Sequence, residues 1–167
     1  MIGPESSLSA RLLSALILVL VAHASWACTC MEIASIENSV ATMPILVEAQ
    51  VVSLDQADTV YGRQTYSATL KIKKVLKGRV SSDAITVEHW MCYASLHLDL
   101  MKVHHTYVLP LHEPNDDRYH LATCAHSGME LIAGKLYTFE LTDDGGRKLQ
   151  FHARYTEFVR GLANGSK

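Results

Sequence analysis

The feature that most constrains this chain is a Cys-Thr-Cys sequence at residues 28–30, placed directly after an apolar leader. Residues 12–22 are almost entirely apolar and are followed by small side chains. An apolar run this short is typical of a secretory signal peptide, whereas a membrane-spanning helix needs about 20 residues. We therefore predict a signal peptide over residues 1–27 and a single mature domain over residues 28–167.

Two cleavage positions are open in this leader. A cut after Ala27 would place Cys28 at the mature N-terminus, whereas a cut after Ala24 would leave three further residues ahead of it. The position after Ala27 lies at the better distance from the apolar run and is favoured. Either cut predicts an exported product, secreted or periplasmic, with no membrane anchor after the signal is removed.

All four cysteines lie in the exported part of the chain, which predicts two disulfides in an oxidising compartment. A bridge between Cys28 and Cys30 would close a strained ring, so each is expected to pair with Cys92 or Cys124, in either combination. Both bridges would fasten the N-terminus to the body of the fold. If Cys28 is the first residue, its α-amine and carbonyl oxygen form a two-point ligand for a metal that this protein does not itself carry.

Hydrophobic alternation predicts an all-β domain with short flanking helices. The predicted strands are 45–52, 66–76, 84–92, 107–112 and 119–124, followed by a terminal hairpin of 135–141 and 148–154. Along 66–76 the alternation places Tyr66, Ala68, Leu70 and Ile72 on one face, and 119–124 is expected to pair back onto 107–112. A short helix or turn is predicted within 31–43, ended by Pro44, and a short helix over 156–162. Residues 55–58 and 61–63 are interpreted as a polar loop, and Pro110 is expected to place its strand at an edge or a bulge.

Composition and motifs argue against several functions. The net charge of −2, with dispersed basic residues, gives no indication of nucleic acid binding. His97, His104 and His105 lie close in sequence but form no His-Glu-x-x-His motif, and we interpret them as surface or loop residues. No nucleophile elbow or paired-acid motif is present in the sequence, so neither an enzyme nor a cofactor is expected.

These residues resemble the netrin-like domain of the tissue inhibitors of metalloproteinases. The motifs that carry the resemblance are Cys28-Thr29-Cys30, the strand Ile45–Val52, the strand end Lys71–Gly78, Cys92, and a strand closed by Cys124. The resemblance covers roughly residues 28–124. It implies an OB-fold-like five-stranded barrel with short flanking helices and a C-terminal hairpin. It also implies the disulfide pairs Cys28–Cys92 and Cys30–Cys124.

The resemblance further implies a secreted inhibitor of zinc metalloproteases. The amine and carbonyl of Cys28 would chelate the catalytic zinc of a target metalloendopeptidase, and Thr29 would enter its specificity pocket. Cys30, Met31 and Glu32 would lie along the cleft, with His89, Trp90 and Met91 on its other side. The mechanism is chemically reasonable, because an α-amine with a pKa of about 7.7–8.0 loses its proton to zinc at modest cost.

Two other hypotheses stay open. The chain could be a netrin-like extracytoplasmic module that binds a protein or a glycan through its barrel loops, with purely structural disulfides. Alternatively, it could be a small periplasmic metal-handling protein that uses its histidines. The first alternative does not depend on the amine of Cys28, and the second requires stoichiometric metal without any protease.

Overall fold

A computed structural model describes most of the chain beyond its N-terminal segment. It describes residues 35–60, 63–90, 98, 101–114, 118–121, 128–141 and 147–165, with only the backbone at 56–60, 63–65, 89–90, 140–141, 147 and 165. The predicted signal peptide, all four cysteines and the predicted reactive residues 28–32 lie outside these ranges. The structure therefore describes the scaffold that would position the predicted site, and not the reactive residues themselves.

Eight strands and two helices make up the described part of the chain. In chain order they are α1 (Ile36–Thr42), β1 (Ile45–Val60), β2 (Arg63–Lys77), β3 (Ala84–Trp90), β4 (Thr106–Leu111), β5 (Arg118–His120), β6 (Met129–Ile132), β7 (Lys135–Leu141), β8 (Arg147–Arg154) and α2 (Tyr155–Gly165). Ser35 caps α1 by accepting a hydrogen bond from the backbone N–H of Asn38, as expected of a helix N-cap. The all-β class predicted from the alternation is confirmed.

The strands form one sheet in the order β5-β3-β2-β1-β4-β6-β7-β8. All neighbouring strands are antiparallel except β3 and β5, which run parallel. The long β1–β2 pair continues to Val60 opposite Arg63, with four register shifts along it. An isolated bridge also joins Leu111, at the end of β4, to Leu121, directly after β5.

Alternate residues of the strands enclose the larger hydrophobic cluster, here called the inner core. It contains the buried residues Ile45, Val47, Ala49, Val51, Ala68, Leu70, Ile85, Val87, Leu98, Met101, Tyr107, Leu109, Leu111, Tyr119, Leu121 and Phe139. The predicted apolar face of the second strand, formed by Tyr66, Ala68, Leu70 and Ile72, contributes to this core, which confirms that interpretation.

The opposite face of β1, β4, β6 and β7 forms a second cluster, here called the outer core. Its buried residues are Ile36, Val40, Leu46, Val108, Met129 and Leu136, and partly buried side chains of α2 complete it. The two helices therefore cover the outside of the sheet. Lys77 fastens α1 there, because its Nζ donates to the carbonyl oxygens of Val40 and Ala41 at the C-terminal end of the helix.

Three strand assignments differ from the predictions. Residues 55–58 are not a loop but continue β1, because β2 pairs with this part of the strand. The strand β6 was missed. Residues 118–120 pair with β3 in parallel, whereas they were expected to pair with β4 alone.

Pro110 does not mark an edge strand, since β4 lies between β1 and β6. The N–H of His112 points toward β5, where it donates to the carbonyl of His120 at 3.0 Å. Backbone N–H groups two residues apart point to the same side of a strand, so the nitrogen of Pro110 faces that side as well. Pairing with β6 ends at Val108 and the bridge begins at Leu111, so the missing N–H falls in the gap between the two partners.

Candidate functional site

The predicted reactive segment lies beyond the described residues. Cys28, Thr29, Cys30, Met31 and Glu32 precede Ser35, where the described chain begins. Met91 follows the last described residue of β3. The roles assigned to these residues therefore stay predictions, and the structure contributes the elements that lead to them.

The backbones of His89 and Trp90 form the last two residues of β3. They pair with Tyr66 and Thr65 of β2, far along the sheet from the turn at Gly78. This end of β3 leads directly to Met91 and Cys92. The predicted contact segment therefore begins at the end of a paired strand, which fixes its starting point.

The parallel pairing of β3 and β5 brings together the two segments that precede Cys92 and Cys124. Glu88 lies opposite His120, so the two strands end side by side at the same end of the sheet. Arg118 donates a hydrogen bond to the carboxylate of Glu88, which adds an ion pair to this short ladder. Cys92 follows Trp90 by two residues, and Cys124 follows Leu121 by three. Sequence reasoning did not predict this neighbourhood.

His104 and His105 lie in the turn before β4 and have different partners. His104 adopts a left-handed conformation with φ of 70°, and its N–H donates to the carbonyl of Val51. Nδ1 of His105 lies 2.5 Å from Oε1 of Glu130, whose side chain is buried. Burial of a carboxylate is costly unless it is paired, so this contact is a structural feature of the β4–β6 junction.

A second side-chain hydrogen bond, which is partly buried, joins α2 to β1. The hydroxyl of Tyr155 donates to the carboxylate of Glu48. Burial raises the pKa of the Tyr155 hydroxyl well above its usual range, and the hydrogen bond and negative charge of Glu48 raise it further. Neither residue was predicted from the sequence, although a carboxylate inside the apolar strand at 45–52 is a visible signal for a buried partner.

A cavity of about 330 Å³ opens between the start of α1 and the hairpin of β7 and β8. Ser35, Ile36 and Glu37 line it on the helix side, while Thr138 and His152 belong to the opposite wall. Nε2 of His152 lies 3.7 Å from Oε1 of Glu37 across this space. The cavity adjoins the position where the chain from residue 34 enters the described fold.

The described residues contain no group of three or more His, Cys, Asp or Glu side chains that could hold a metal ion. Within the same residues, no helix is long and apolar enough to cross a membrane. His97, the third histidine of the group selected from the sequence, lies outside the described residues.

Comparisons with family models, with curated proteins and with solved structures gave no match. The functional assignment therefore rests on the residues and on the topology of the described fold.

Proposed function

We propose that the chain is an exported, netrin-like domain that inhibits a zinc metalloendopeptidase through the mature N-terminal residue Cys28. The observation that carries the proposal is the parallel alignment of β3 and β5, whose ends lead to Cys92 and Cys124. Two cysteines separated by a single residue can each be bridged only if their partners are neighbours. The expected pairs are Cys28–Cys92 and Cys30–Cys124, and the protein is neither an enzyme nor a holder of its own cofactor.

The strand order supports an OB-fold-like, five-stranded barrel beneath this site. β1, β2 and β3 form a meander, β3 runs parallel to β5, and β4 pairs with β1. The bridge between Leu111 and Leu121 supplies the remaining contact, from β5 back to β4. These five contacts support the strand order expected of an OB-fold, and β6, β7 and β8 continue the sheet from β4.

The register around the circuit of these five contacts is consistent with closure. The circuit can be followed from each residue to its partner on the next strand. It passes through Ile45, Leu111, Leu121, His89, Tyr66 and Gln56 in that order. Leu121 is placed beside His89 because the preceding residues, His120 and Glu88, are paired. The circuit returns to β1 eleven residues from its start (56 minus 45). A closed barrel requires tilted strands and such a stagger, which also explains why β1 is long.

The geometry sets a limit on the reactive segment. The described chain begins at Ser35, five residues after Cys30 (35 minus 30). Five extended residues span at most about 18 Å. Cys30 must therefore lie within about 18 Å of Ser35, and Cys28, seven residues before Ser35 (35 minus 28), within about 25 Å. Cys92 and Cys124 must come within disulfide distance of those two positions.

In the proposed mechanism, the disulfides hold Cys28 in its binding geometry before association, which reduces the entropy lost on binding. The amine and carbonyl oxygen of Cys28 occupy the open position of the protease zinc and displace its attacking water. Thr29 enters the specificity pocket. Cys30, Met31 and Glu32 extend along the cleft, and His89, Trp90 and Met91 contact its other side.

The first test is the intact mass of the exported protein, combined with disulfide mapping. The proposal requires a mass that begins at Cys28 with two disulfides. Inhibition should then be measured against a panel of zinc metalloproteases, with a variant that carries one additional alanine before Cys28 as its comparison. The added residue should abolish inhibition and leave the circular dichroism spectrum unchanged. Retained inhibition would refute zinc chelation.

A second candidate is a netrin-like module that binds another protein, with the disulfides serving only the fold. The exposed apolar side chains of Leu149 and Phe151 on β8 favour it, because such patches often mark contact surfaces. A mass that begins at Ser25 would place the amine of Cys28 in a peptide bond, and this second candidate would then replace the inhibitor.

A further inference from the structure

The outer edge of β8 is the side of the strand that faces away from β7. Within the part of the chain that the structure describes, β8 pairs with β7 alone. An edge strand presents a row of backbone N–H and C=O groups that can pair with another extended chain. β8 has eight residues and contains neither proline nor glycine, so its edge is long enough to accept a partner strand.

Apolar side chains lie next to this edge. Phe151 is 58 % exposed and Leu149 is 37 % exposed. Phe151 pairs with Tyr137 across the hairpin, with ring centroids 6.0 Å apart in an edge-to-face arrangement, and Leu149 pairs with Phe139. Phe139 is buried in the inner core, so the apolar stripe continues from the core to the edge of the sheet.

The two helices cover the other face of this hairpin and leave the stripe exposed. Leu136 contributes to the outer core together with side chains of α1 and α2, and it alternates with Tyr137 along β7. The face that carries Phe151 therefore points away from the helices.

The charge of β8 indicates the kind of chain that fits. Arg147, Lys148 and Arg154 give the strand three basic residues and no acidic residue, although the whole chain has a net charge of −2. Glu157 offsets part of this charge, since its Oε1 lies 3.8 Å from Nη1 of Arg154. Complementary charge steers association and fixes register, so an acidic partner is favoured.

A second copy of this chain fits less well. Antiparallel pairing of two complete β8 strands would place Arg147 opposite Arg154 at both ends. Like charges directly opposite each other destabilise a strand pair, and basic residues are a common protection of sheet edges against self-association.

We propose that the outer edge of β8 binds an extended, acidic segment of a partner protein by strand addition, with alternate apolar residues of that segment packed beside Leu149 and Phe151. Main-chain hydrogen bonds supply affinity in this mode, and side chains on one face supply specificity. The surface is independent of the Cys28 site and does not require that the protein inhibit a protease.

The test uses the mature, full-length protein and a synthetic peptide with the sequence Glu-Glu-Val-Thr-Val-Thr-Glu-Glu, blocked at both ends. Calorimetry should detect binding of this peptide, and the same peptide with Lys in place of Glu should bind at least tenfold more weakly. N-methylation of alternate residues distinguishes the two edges of the peptide. Methyl groups on one edge should abolish binding, and methyl groups on the other edge should have little effect.

The matched variants are Leu149→Thr with Phe151→Thr, compared with Val52→Thr and Val75→Thr, which alter similarly exposed apolar residues elsewhere on the sheet. The first pair should weaken peptide binding at least tenfold and the second pair less than twofold, with unchanged circular dichroism in both. Equal effects of the two pairs, equal effects of the two N-methylated peptides, or absence of binding would overturn the proposal. A concentration-dependent dimer that Phe151→Thr dissolves would identify a second copy as the occupant and would overturn it as well.

Discussion

The inner core and the outer core share β1, β4 and β7 but are closed in different ways. On β1, Val47 points into the inner core and Leu46 into the outer core, and Leu109 and Val108 divide in the same way on β4. Strands supply nearly all of the inner core. The outer core is covered by two helices, which lie on the sheet without sharing its hydrogen bonds.

The two cores differ in how easily their surroundings can move to fill the space left by a truncated side chain. The strands around the inner core are fixed to their neighbours by backbone pairing, so a gap there is difficult to close. The cover of the outer core includes Tyr155, Phe158 and Leu162, which are only partly buried. A helix held by side-chain packing can move toward a gap, so the outer core should be the more tolerant of the two.

The largest expected effect comes from truncating one fully buried leucine in each core. Leu70→Ala and Leu136→Ala both remove a side chain with 0 % exposure. Such substitutions cost about 2–5 kcal/mol, and the cost rises with the cavity that persists. We expect Leu70→Ala to lie near the upper end and Leu136→Ala near the lower end, measured as the free energy of unfolding in urea. A larger loss for Leu136→Ala would contradict the comparison.

The next effect concerns two glycines with nearly the same backbone conformation. Gly78 has φ of 76° and Gly134 has φ of 74°. A Cβ on Gly78 would lie 2.4 Å from the carbonyl oxygen of Pro44, whereas a Cβ on Gly134 would have no neighbour within 4 Å. Gly134→Ala should therefore cost about 1–2 kcal/mol for the left-handed conformation alone.

Gly78→Ala should cost that amount and about 1–3 kcal/mol more, because the atom it meets belongs to the backbone beside inner-core residue Ile45. Thermal unfolding of the two variants tests the difference directly. Equal melting temperatures would show that the chain at Pro44 moves aside easily, and that the entry to the inner core is less rigid than the strand pairing indicates.

The parts of the fold that the sequence predicted are those with a strong local pattern. The alternation from Tyr66 to Ile72 identified an inner-core face, and the terminal hairpin and both helices were also predicted. β6 was missed because it has only four residues and is joined to β7 by Ala133 and Gly134, a weaker hairpin signal than Asn-Gly. The extension of β1 was missed because its polar residues resemble a loop.

The candidate site was less accessible to sequence reasoning. The Cys-Thr-Cys motif and the later cysteines can be read directly, but the parallel pairing of β3 and β5 joins segments about 30 residues apart, and no local pattern specifies it. The contact of His105 with Glu130 depends on the same kind of non-local pairing, between β4 and β6. The sequence therefore shows which reactive residues are present, but it does not show which of them the fold brings together.

A smaller effect is expected at the contact that ties α2 to β1. Tyr155→Phe removes the hydroxyl that donates to Glu48 and should cost about 1 kcal/mol at neutral pH. The pKa of Tyr155 is raised in the folded state, so its stabilisation is complete below the unfolded value of about 10 and is lost as the pH rises above it. Urea titrations should therefore show a steeper alkaline loss for the native protein than for Tyr155→Phe. Parallel pH profiles would show that this hydroxyl does not hold the helix.

The smallest expected effect is an increase in the free energy of unfolding, produced by a substitution in the turn between β6 and β7. Ala133 has φ of 48°, a left-handed conformation that a residue with a Cβ adopts at a cost and that asparagine tolerates better. Ala133→Asn should therefore stabilise the protein by about 0.5–1 kcal/mol, and the control Ala163→Asn, on the exposed side of α2, should lose about 0.5 kcal/mol.

The same gain tests whether the two cores unfold together. In a single cooperative unit, Ala133→Asn should raise the unfolding free energy of Leu70→Ala and of Leu136→Ala by equal amounts, because distant substitutions add. A gain confined to the Leu136→Ala background would mean that β6, β7 and the helices open before the strands that enclose the inner core. The outer core would then unfold separately from the inner core. Its tolerance of substitution would come from this separate unfolding and not from helices that move to fill a cavity.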